Sequence, residues 1–168
     1  PGDKALLCLP AKFIAGKMML VRSLILGLDL DITEPTTEPL HLNTNQYDFV
    51  AMVPLQVQNS IESLINVKKL IIGGAKMDVS LEEKLLPLKT EIYETYGMTE
   101  TITHVAAKKV GEKFFTVLPR VEISKDNRGC LVIKVPAISE EPIMTNDLVE
   151  LTGENQFSFL GRIDSVVN

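Results

Sequence analysis

Thr90-Glu91-Ile92-Tyr93-Glu94-Thr95-Tyr96-Gly97-Met98-Thr99-Glu100-Thr101 is the stretch on which the reading of this 168-residue chain turns. Residues 90–96 are rich in β-favouring side chains and predict a strand. The strand runs into the turn Tyr96–Thr101 (YGMTET), which Gly97 permits. On that turn Thr99 can donate a hydrogen bond to a phosphate oxygen, and Glu100 offers the hard oxygen that Mg²⁺ takes as a ligand. The same six residues also read as a strand ending in a surface Thr-Glu pair. By themselves they leave both readings open.

Upstream, apolar strand-like runs alternate with longer helical patterns. Residues 5–9 read as a strand, 13–27 as a helix closed by Gly27, and 28–33 as a second strand. The run 34–39, Glu-Pro-Thr-Thr-Glu-Pro, is a loop. Residues 50–53 are apolar, Pro54 marks a boundary, and 55–65 predict the next helix. A short strand at 69–72 ends in the loop Gly73-Gly74-Ala75. Ser80 is the expected N-cap of a helix over 81–86, with Glu83 at the capping-box position. Strands alternating with helices predict a mostly parallel, layered α/β unit. In such units ligands gather at the carboxyl ends of strands, where both glycine-bearing loops lie.

Downstream of about Thr103 the pattern shortens. Alternating runs at 105–108, 113–117, 121–124, 130–135, 148–151 and 157–160 are separated by turn residues such as Lys125-Asp126-Asn127-Arg128-Gly129 and Thr152-Gly153-Glu154-Asn155. That is the pattern of an antiparallel β unit, a barrel or small sandwich. The expected architecture is α/β over residues 1–103, followed by a small antiparallel β-barrel over 104–168.

Composition narrows the function classes. A net charge of −5, with Lys68-Lys69 and Lys108-Lys109 as isolated pairs, supplies no basic stripe for nucleic acid or a membrane surface. Residues 13–30 are strongly apolar, but Lys17, Arg22 and Asp29 interrupt them, and a span needs roughly 20 uninterrupted apolar residues. Cys8 and Cys130 lie 122 residues apart in apolar runs and read as buried free thiols, which suits a cytoplasmic setting. With two His and two Cys at these separations, no zinc-ligand spacing is matched. The chain opens on Pro1-Gly2-Asp3-Lys4 without an initiating Met or signal peptide, and ends abruptly after a strand-like segment. Both ends read as cut from a longer chain.

Five local patterns, in order, resemble the adenylate-forming acyl-CoA synthetase superfamily. Leu9-Pro10 followed by Ile14-Ala15-Gly16 and Arg22-Ser23-Leu24 looks like its L-P-x-x-H-x-x-G segment. Residues 70–75 look like its strand ending in Gly-Gly-Ala, and 96–100 like its Y-G-x-T-E motif. Thr145-Asn146-Asp147 resembles its T-G-D motif, and Gly161-Arg162-Ile163-Asp164 its G-R-x-D hinge motif. The strand Gly129-Cys130-Leu131-Val132-Ile133 with Pro136 adds its G-x-[IL]-x-[IV]…P stretch. Within the superfamily, residues 14–22 and 96–106 are most similar to o-succinylbenzoate–CoA ligases of menaquinone biosynthesis.

The resemblance implies part of the large N-terminal domain of such a ligase and a two-step reaction. A carboxylate attacks the α-phosphate of ATP to give an acyl-adenylate and pyrophosphate, and the CoA thiol then displaces AMP. It implies ATP/AMP and Mg²⁺ as cofactors, CoA as co-substrate and a small-molecule acid as partner. Thr99 would hold the α-phosphate and Glu100 the metal. Gly73, Gly74 and Ala75 would lie along the adenine or acyl group, and Tyr96, with Gly97 and Met98, would form an adenine face. Asp147 would accept hydrogen bonds from the ribose diol, and Arg162 would donate to ribose or phosphate oxygens. Asp164 takes the hinge position, while Arg22 and His104 are candidates for the acyl pocket.

Alternatives stay open at each position. Asp147 also reads as a β-turn residue, Arg162 and Asp164 as a surface pair, Tyr96 as core and His104 as structural. Arg22 also reads as one partner of a buried ion pair, and His41 as an incidental loop residue. Phe13 stands where the family pattern often has His, and Asn146 where it has Gly; Asn tolerates positive φ, which would preserve a turn there. The family's Ser/Thr/Gly-rich phosphate loop would precede Pro1, and its lid with the catalytic lysine would follow Asn168. The chain alone is therefore expected to be inactive. A ligase for another aryl or acyl acid, a carrier-loading relative, and a non-catalytic nucleotide-binding or structural module are the competing readings.

Overall fold

The computed structural model describes residues 1–41 and 45–165. Its chain divides into two units. The first comprises Pro1–Glu94 with Lys109–Gly111; the second comprises Thr95–Lys108 and the residues from Glu112 onward.

In the first unit, β1 (Lys4–Leu7), β2 (Asp29–Ile32), β3 (Tyr47–Met52), β4 (Val67–Ile72) and the Glu91–Glu94 part of β5 (Glu91–Gly97) run in the order β2-β1-β3-β4-β5. Every pairing among them is parallel, as in Lys4 with Asp29, Val50 with Leu70 and Leu70 with Ile92. Side chains alternate between sheet faces along a strand, and both faces here are apolar. Leu6, Val50, Met52, Leu70, Ile72 and Ile92 fill one face, where they meet Val57 of α2 (Pro54–Asn59) and Leu81 and Leu85 of α3 (Val79–Leu85). Ala5, Leu7 and Ala51 fill the other, with Met19 of α1 (Ile14–Leu26). This is the expected layered α/β arrangement. Each fully buried Leu or Ile contributes about 1.5–3 kcal/mol.

Helix α1 ends as expected, with Gly27 in the left-handed region at φ 66° and its N–H bonded to the Ser23 carbonyl. Its approach to the preceding loop is set by Gly16. A Cβ there would lie 2.4 Å from the Pro10 carbonyl oxygen and 2.9 Å from Ala11 Cα, both backbone atoms. Gly16→Ala gains about 1 kcal/mol of helix propensity. Overpacking against fixed backbone costs about 1–3 kcal/mol, so a net loss of stability is expected. A urea titration of the chain reads the difference; an unchanged or higher midpoint would mean that the Pro10 loop yields.

Two helix boundaries differ from expectation. The helix predicted over 55–65 stops at Asn59 and resumes as a 3₁₀ helix, Ile61–Asn66. Asn59 and Ser60 are weak helix formers, and the Ser60 N–H closes onto the Val57 carbonyl at 3.0 Å, an i→i−3 bond. The N-cap of α3 is Asp78, not Ser80: Asp78 Oδ1 accepts the Leu81 N–H at 2.9 Å and the Ser80 hydroxyl at 2.7 Å. A carboxylate three residues before Leu81 reaches the orphan donor, whereas Ser80 already lies inside the helix.

The second unit holds β6 (His104–Lys109) as far as Lys108, β7 (Phe115–Val117), β8 (Glu122–Lys125), β9 (Cys130–Lys134), β10 (Ile143–Leu151) and β11 (Gln156–Arg162). They run in the order β6-β7-β11-β10-β9-β8 with antiparallel pairing. The expected barrel is not formed. Its sheet is open, with no ladder joining β8 to β6 among the described residues. Closure requires a continuous stagger and tilt of all strands. Here β8 is only four residues long, and its mostly exposed side chains, with Glu122 paired to Lys134 at 3.4 Å, suit an unpaired edge. Val105, Phe115, Leu131, Ile133, Val149 and Phe157 form the core of this unit.

The division also differs from a boundary at residue 103. Tyr96 and Met98 pack on the Phe115–Phe157 cluster, which places the YGMTET segment in the second unit. The Val110 N–H bonds to the Ile92 carbonyl at 3.0 Å and that of Gly111 to Glu82 Oε1 at 3.0 Å, which returns that segment to the first. Cys8 and Cys130 are buried free thiols, as expected; burial pushes the Cys8 thiol up to about 12. Among the described residues no helix is long and apolar enough to cross a membrane.

Candidate functional site

The site in the second unit is built from the alternation of β10. Thr145, Asp147 and Val149 are buried, with partly exposed Asn146 and Leu148 between them. The register against β9 slips between Met144 and Leu148, so backbone groups there need other partners. Thr145 supplies one: its hydroxyl donates to the Leu131 carbonyl at 2.7 Å and accepts the Asp147 N–H at 3.1 Å. Thr145-Asn146-Asp147 is therefore a bulged strand and not the turn expected from its sequence. Ile102 and Arg120 are the positive-φ residues other than glycine among those described, so Asn146 does not use its tolerance for that region.

Asp147 is the centre of the polar arrangement. Its side chain is 8% exposed, and Arg162 faces it directly across the β10–β11 pair. Asp147 Oδ2 accepts the Tyr96 hydroxyl, and Oδ1 lies 3.4 Å from Arg162 Nη1. The Tyr96 ring is held by edge contacts with Phe157 (centroids 5.2 Å apart, planes at 81°) and Phe115 (6.1 Å, 62°). Burial, and then the Asp147 carboxylate, push the Tyr96 phenol far above its ordinary range, so it stays a protonated donor.

Arg162 also forks onto Asp164, with Nε at 2.8 Å from Oδ1 and Nη2 at 2.7 Å from Oδ2. That fork, aided by the Asn146 amide, holds the Asp164 carboxyl down at about 2. A depressed carboxylate stabilises the fold above the ordinary Asp range, and the contribution is lost as pH falls toward 2. Asp164 is exposed, so solvent screening keeps it small.

The loop carrying Thr99 and Glu100 is fixed by Gly97, expected to permit the turn, and by Thr101, to which the sequence reading gave no role. Thr99–Thr101 is a 3₁₀ turn. The buried Thr101 hydroxyl oxygen accepts the Met98 N–H at 3.0 Å and donates to the Thr103 carbonyl at 2.8 Å. A Cβ on Gly97 would lie 2.6 Å from that carbonyl oxygen and 2.9 Å from His104 Cα, so only glycine fits. Ile102 closes the turn at φ 62°, a strained conformation for a β-branched residue. Thr99 and Glu100 are left exposed to solvent. Among the described residues no three His, Cys, Asp or Glu side chains cluster as metal ligands. Mg²⁺ held by one carboxylate plus phosphate oxygens needs no such cluster, so Glu100 fits that role.

Tyr96, Asp147, Arg162 and Asp164 are thus joined by hydrogen bonds, and Gly97, Met98, Thr99, Glu100 and partly exposed His104 belong to the same unit. Gly73, Gly74, Ala75 and Arg22 belong to the first. The Gly73 N–H bonds to the Met52 carbonyl at 3.2 Å, while Gly74 (φ 84°) and Ala75 are exposed. Arg22 lies partly buried along α1, with Nη1 at 3.8 Å from Met19 Sδ, and burial lowers its pKa. His41 is exposed, 3.9 Å from Glu38.

No protein-family model matches the chain. It is 26% identical, over 94% of its length, to 2-succinylbenzoate–CoA ligase of Staphylococcus aureus strain MSSA476, and 25% identical to the same-named protein of strain JH9. The chain spans 36% of those relatives' length. Among solved structures it superimposes over its whole length on an AMP-forming acyl-CoA synthetase/AMP-acid ligase II-like protein from Dyadobacter fermentans, with TM-score 0.87 and 40% identity, covering 51% of that chain. Over 97% of its length it matches Escherichia coli MenE, solved with an analogue of OSB-AMS, at TM-score 0.82 and 22% identity, covering 40% of that chain; at that identity the likeness concerns the fold alone. In sequence and fold, then, the chain resembles part of the AMP-forming acyl-CoA synthetases, and the curated proteins it matches are 2-succinylbenzoate–CoA ligases.

Proposed function

We propose that this chain carries nucleotide-binding residues of an AMP-forming acid–CoA ligase acting on 2-succinylbenzoate. The observation that carries the reading is the buried Asp147 carboxylate, braced between Tyr96 and Arg162. A carboxylate has about four lone-pair sites, and these two donors use two. Two remain for a vicinal diol, which is what a ribose presents.

In this reading Arg162, whose pKa the Asp164 fork raises above its ordinary value, donates to ribose or phosphate oxygens. Thr99 donates its hydroxyl to the α-phosphate, and Glu100 holds Mg²⁺, which neutralises phosphate charge when bound. Gly73, Gly74 and Ala75 offer a flat strip for adenine, and half-buried Tyr96 an aromatic surface with its hydroxyl committed to Asp147. Arg22 and His104 are the candidate acyl-pocket contacts, and Asp164 the hinge. The acid's carboxylate oxygen bonds to the α-phosphorus as pyrophosphate leaves; the CoA thiolate then forms the thioester as AMP leaves.

Pyrophosphate release by a longer polypeptide containing this chain tests the reading, with 2-succinylbenzoate set against benzoate and fatty acids. Release with 2-succinylbenzoate alone is expected. Release only with another acid would move the substrate, and the 40%-identical AMP-acid ligase II-like protein keeps that second reading in view. No release with any acid would remove the ligase reading. The 168-residue chain by itself spans 36% of its curated relatives and is expected to show no acid-dependent ATP–pyrophosphate exchange above background. Clear exchange would overturn that expectation.

A further inference from the structure

The Asp147–Arg162 pair does not stand alone. Its Asp164 arm continues through a side-chain amide to the turn between β8 and β9. Asn146 Nδ2 donates to Asp164 Oδ2 at 3.3 Å, and Asn146 Oδ1 accepts from Arg128 Nη1 at 3.1 Å. The amide orientation is chemically forced, because a guanidinium only donates and a carboxylate only accepts. Arg128 is itself tied down. Its Nη2 donates to the Thr145 carbonyl at 2.9 Å and its Nε to Asp126 Oδ2 at 2.8 Å. The Asp126 side chain is 11% exposed, and its Oδ1 accepts the backbone N–H groups of Arg128 at 2.8 Å and Cys130 at 2.9 Å.

We propose that Asn146 is a positioning residue: its amide braces the Arg162–Asp164 fork against the β8–β9 turn and so holds Arg162 Nη1 toward Asp147. Three features carry this. The turn end is fixed by backbone donors and not by a free surface side chain. The fork is bidentate, so fixing Asp164 fixes the plane of the guanidinium. That plane sets where the third nitrogen, 3.4 Å from Asp147, can lie. The charged and titratable groups along the network are Asp126, Arg128, Asp164, Arg162, Asp147 and Tyr96. Asn146 is the neutral member that contacts both a cation and an anion.

The consequence for nucleotide rests on the function proposed above; the brace itself does not. Asn146→Asp is the most informative variant. It keeps shape and the acceptor toward Arg128, but sets a carboxylate against Asp164. In the 168-residue chain, a ¹³C NMR pH titration should show the Asp164 midpoint rising from about 2 by roughly one pH unit, with the Arg162 Nε–H resonance displaced. Asn146→Gly should displace the same resonance with a smaller rise. Arg128→Lys, which cannot span Asn146, Thr145 and Asp126 together, should displace it without touching Asn146.

Unchanged Asp164 midpoint and Arg162 resonance in a folded Asn146→Asp variant would overturn the brace. If that variant does not fold, an unmoved Arg162 resonance in Arg128→Lys does so equally. In the longer polypeptide, AMP affinity should fall several-fold with Asn146→Asp. An NMR shift without any change in AMP affinity would uphold the brace and remove the nucleotide role of Arg162.

Discussion

Replacing Asp147 by alanine is expected to weaken AMP binding to the longer polypeptide by roughly 10–100-fold, since hydrogen bonds to a charged group are worth about 1.5–3 kcal/mol. The same change removes a buried acceptor from the hydroxyl of Tyr96, whose ring packs on Phe115, Phe157 and Phe159. Leaving that donor unsatisfied costs about 1–3 kcal/mol of stability. Alanine therefore confuses two losses. Asparagine separates them: its amide oxygen still accepts from Tyr96, so the fold should survive. Its NH₂ then confronts Arg162 Nη1 donor to donor, and one of the two lone-pair sites left for the diol is gone. Calorimetric titration with AMP and a urea melt on Asp147→Asn decide the matter. Wild-type affinity in the folded variant would take Asp147 out of the ribose role.

The parallel half of the fold was legible because its signals are local. Glycine at the end of α1 and apolar runs bounded by glycine or proline each state their element without tertiary help, and Gly27 stands where it was expected. Asp78 is not legible as the cap because a second polar residue, Ser80, stands closer to the apolar run. That the antiparallel strands stay open was not legible in principle. Strand spacing is the same in an open sheet and in a barrel, and closure depends on tilt and on how the edge strand is finished.

For the site, the family resemblance singles out Tyr96, Asp147, Arg162 and Asp164, and the structure joins those four by hydrogen bonds. What holds them was hidden. Thr145, Asn146 and Arg128 act through hydrogen bonds 14, 18 and 17 residues along the chain, respectively, and only the folded strands show such distances closing. In the sequence, Asn146 in place of the family's Gly raises only a question about φ. The structure answers with its side chain instead.

Glu100→Gln in the longer polypeptide is expected to cut the adenylation rate by roughly 100-fold at fixed Mg²⁺, of the order that losing one charge-stabilising group costs in other active sites. The folded state should be untouched. Glu100 is exposed on a turn whose geometry Thr101 and Gly97 hold, so no buried partner is stranded by the change. Glutamine matches glutamate in size but offers a neutral amide oxygen, a poorer ligand for a hard cation. A metal role thus predicts a particular pattern: the rate recovers in part as Mg²⁺ is raised, while AMP affinity without metal stays at the wild-type level. A role in holding the loop predicts the reverse, with lost stability and no response to metal. Glu100→Asp sharpens the distinction. It keeps the charge but withdraws it by one methylene, so its rate should lie between the other two and its Mg²⁺ requirement should rise. A near-normal rate for Glu100→Gln at the wild-type Mg²⁺ optimum would return Thr99-Glu100 to the surface pair that its six-residue context also allows.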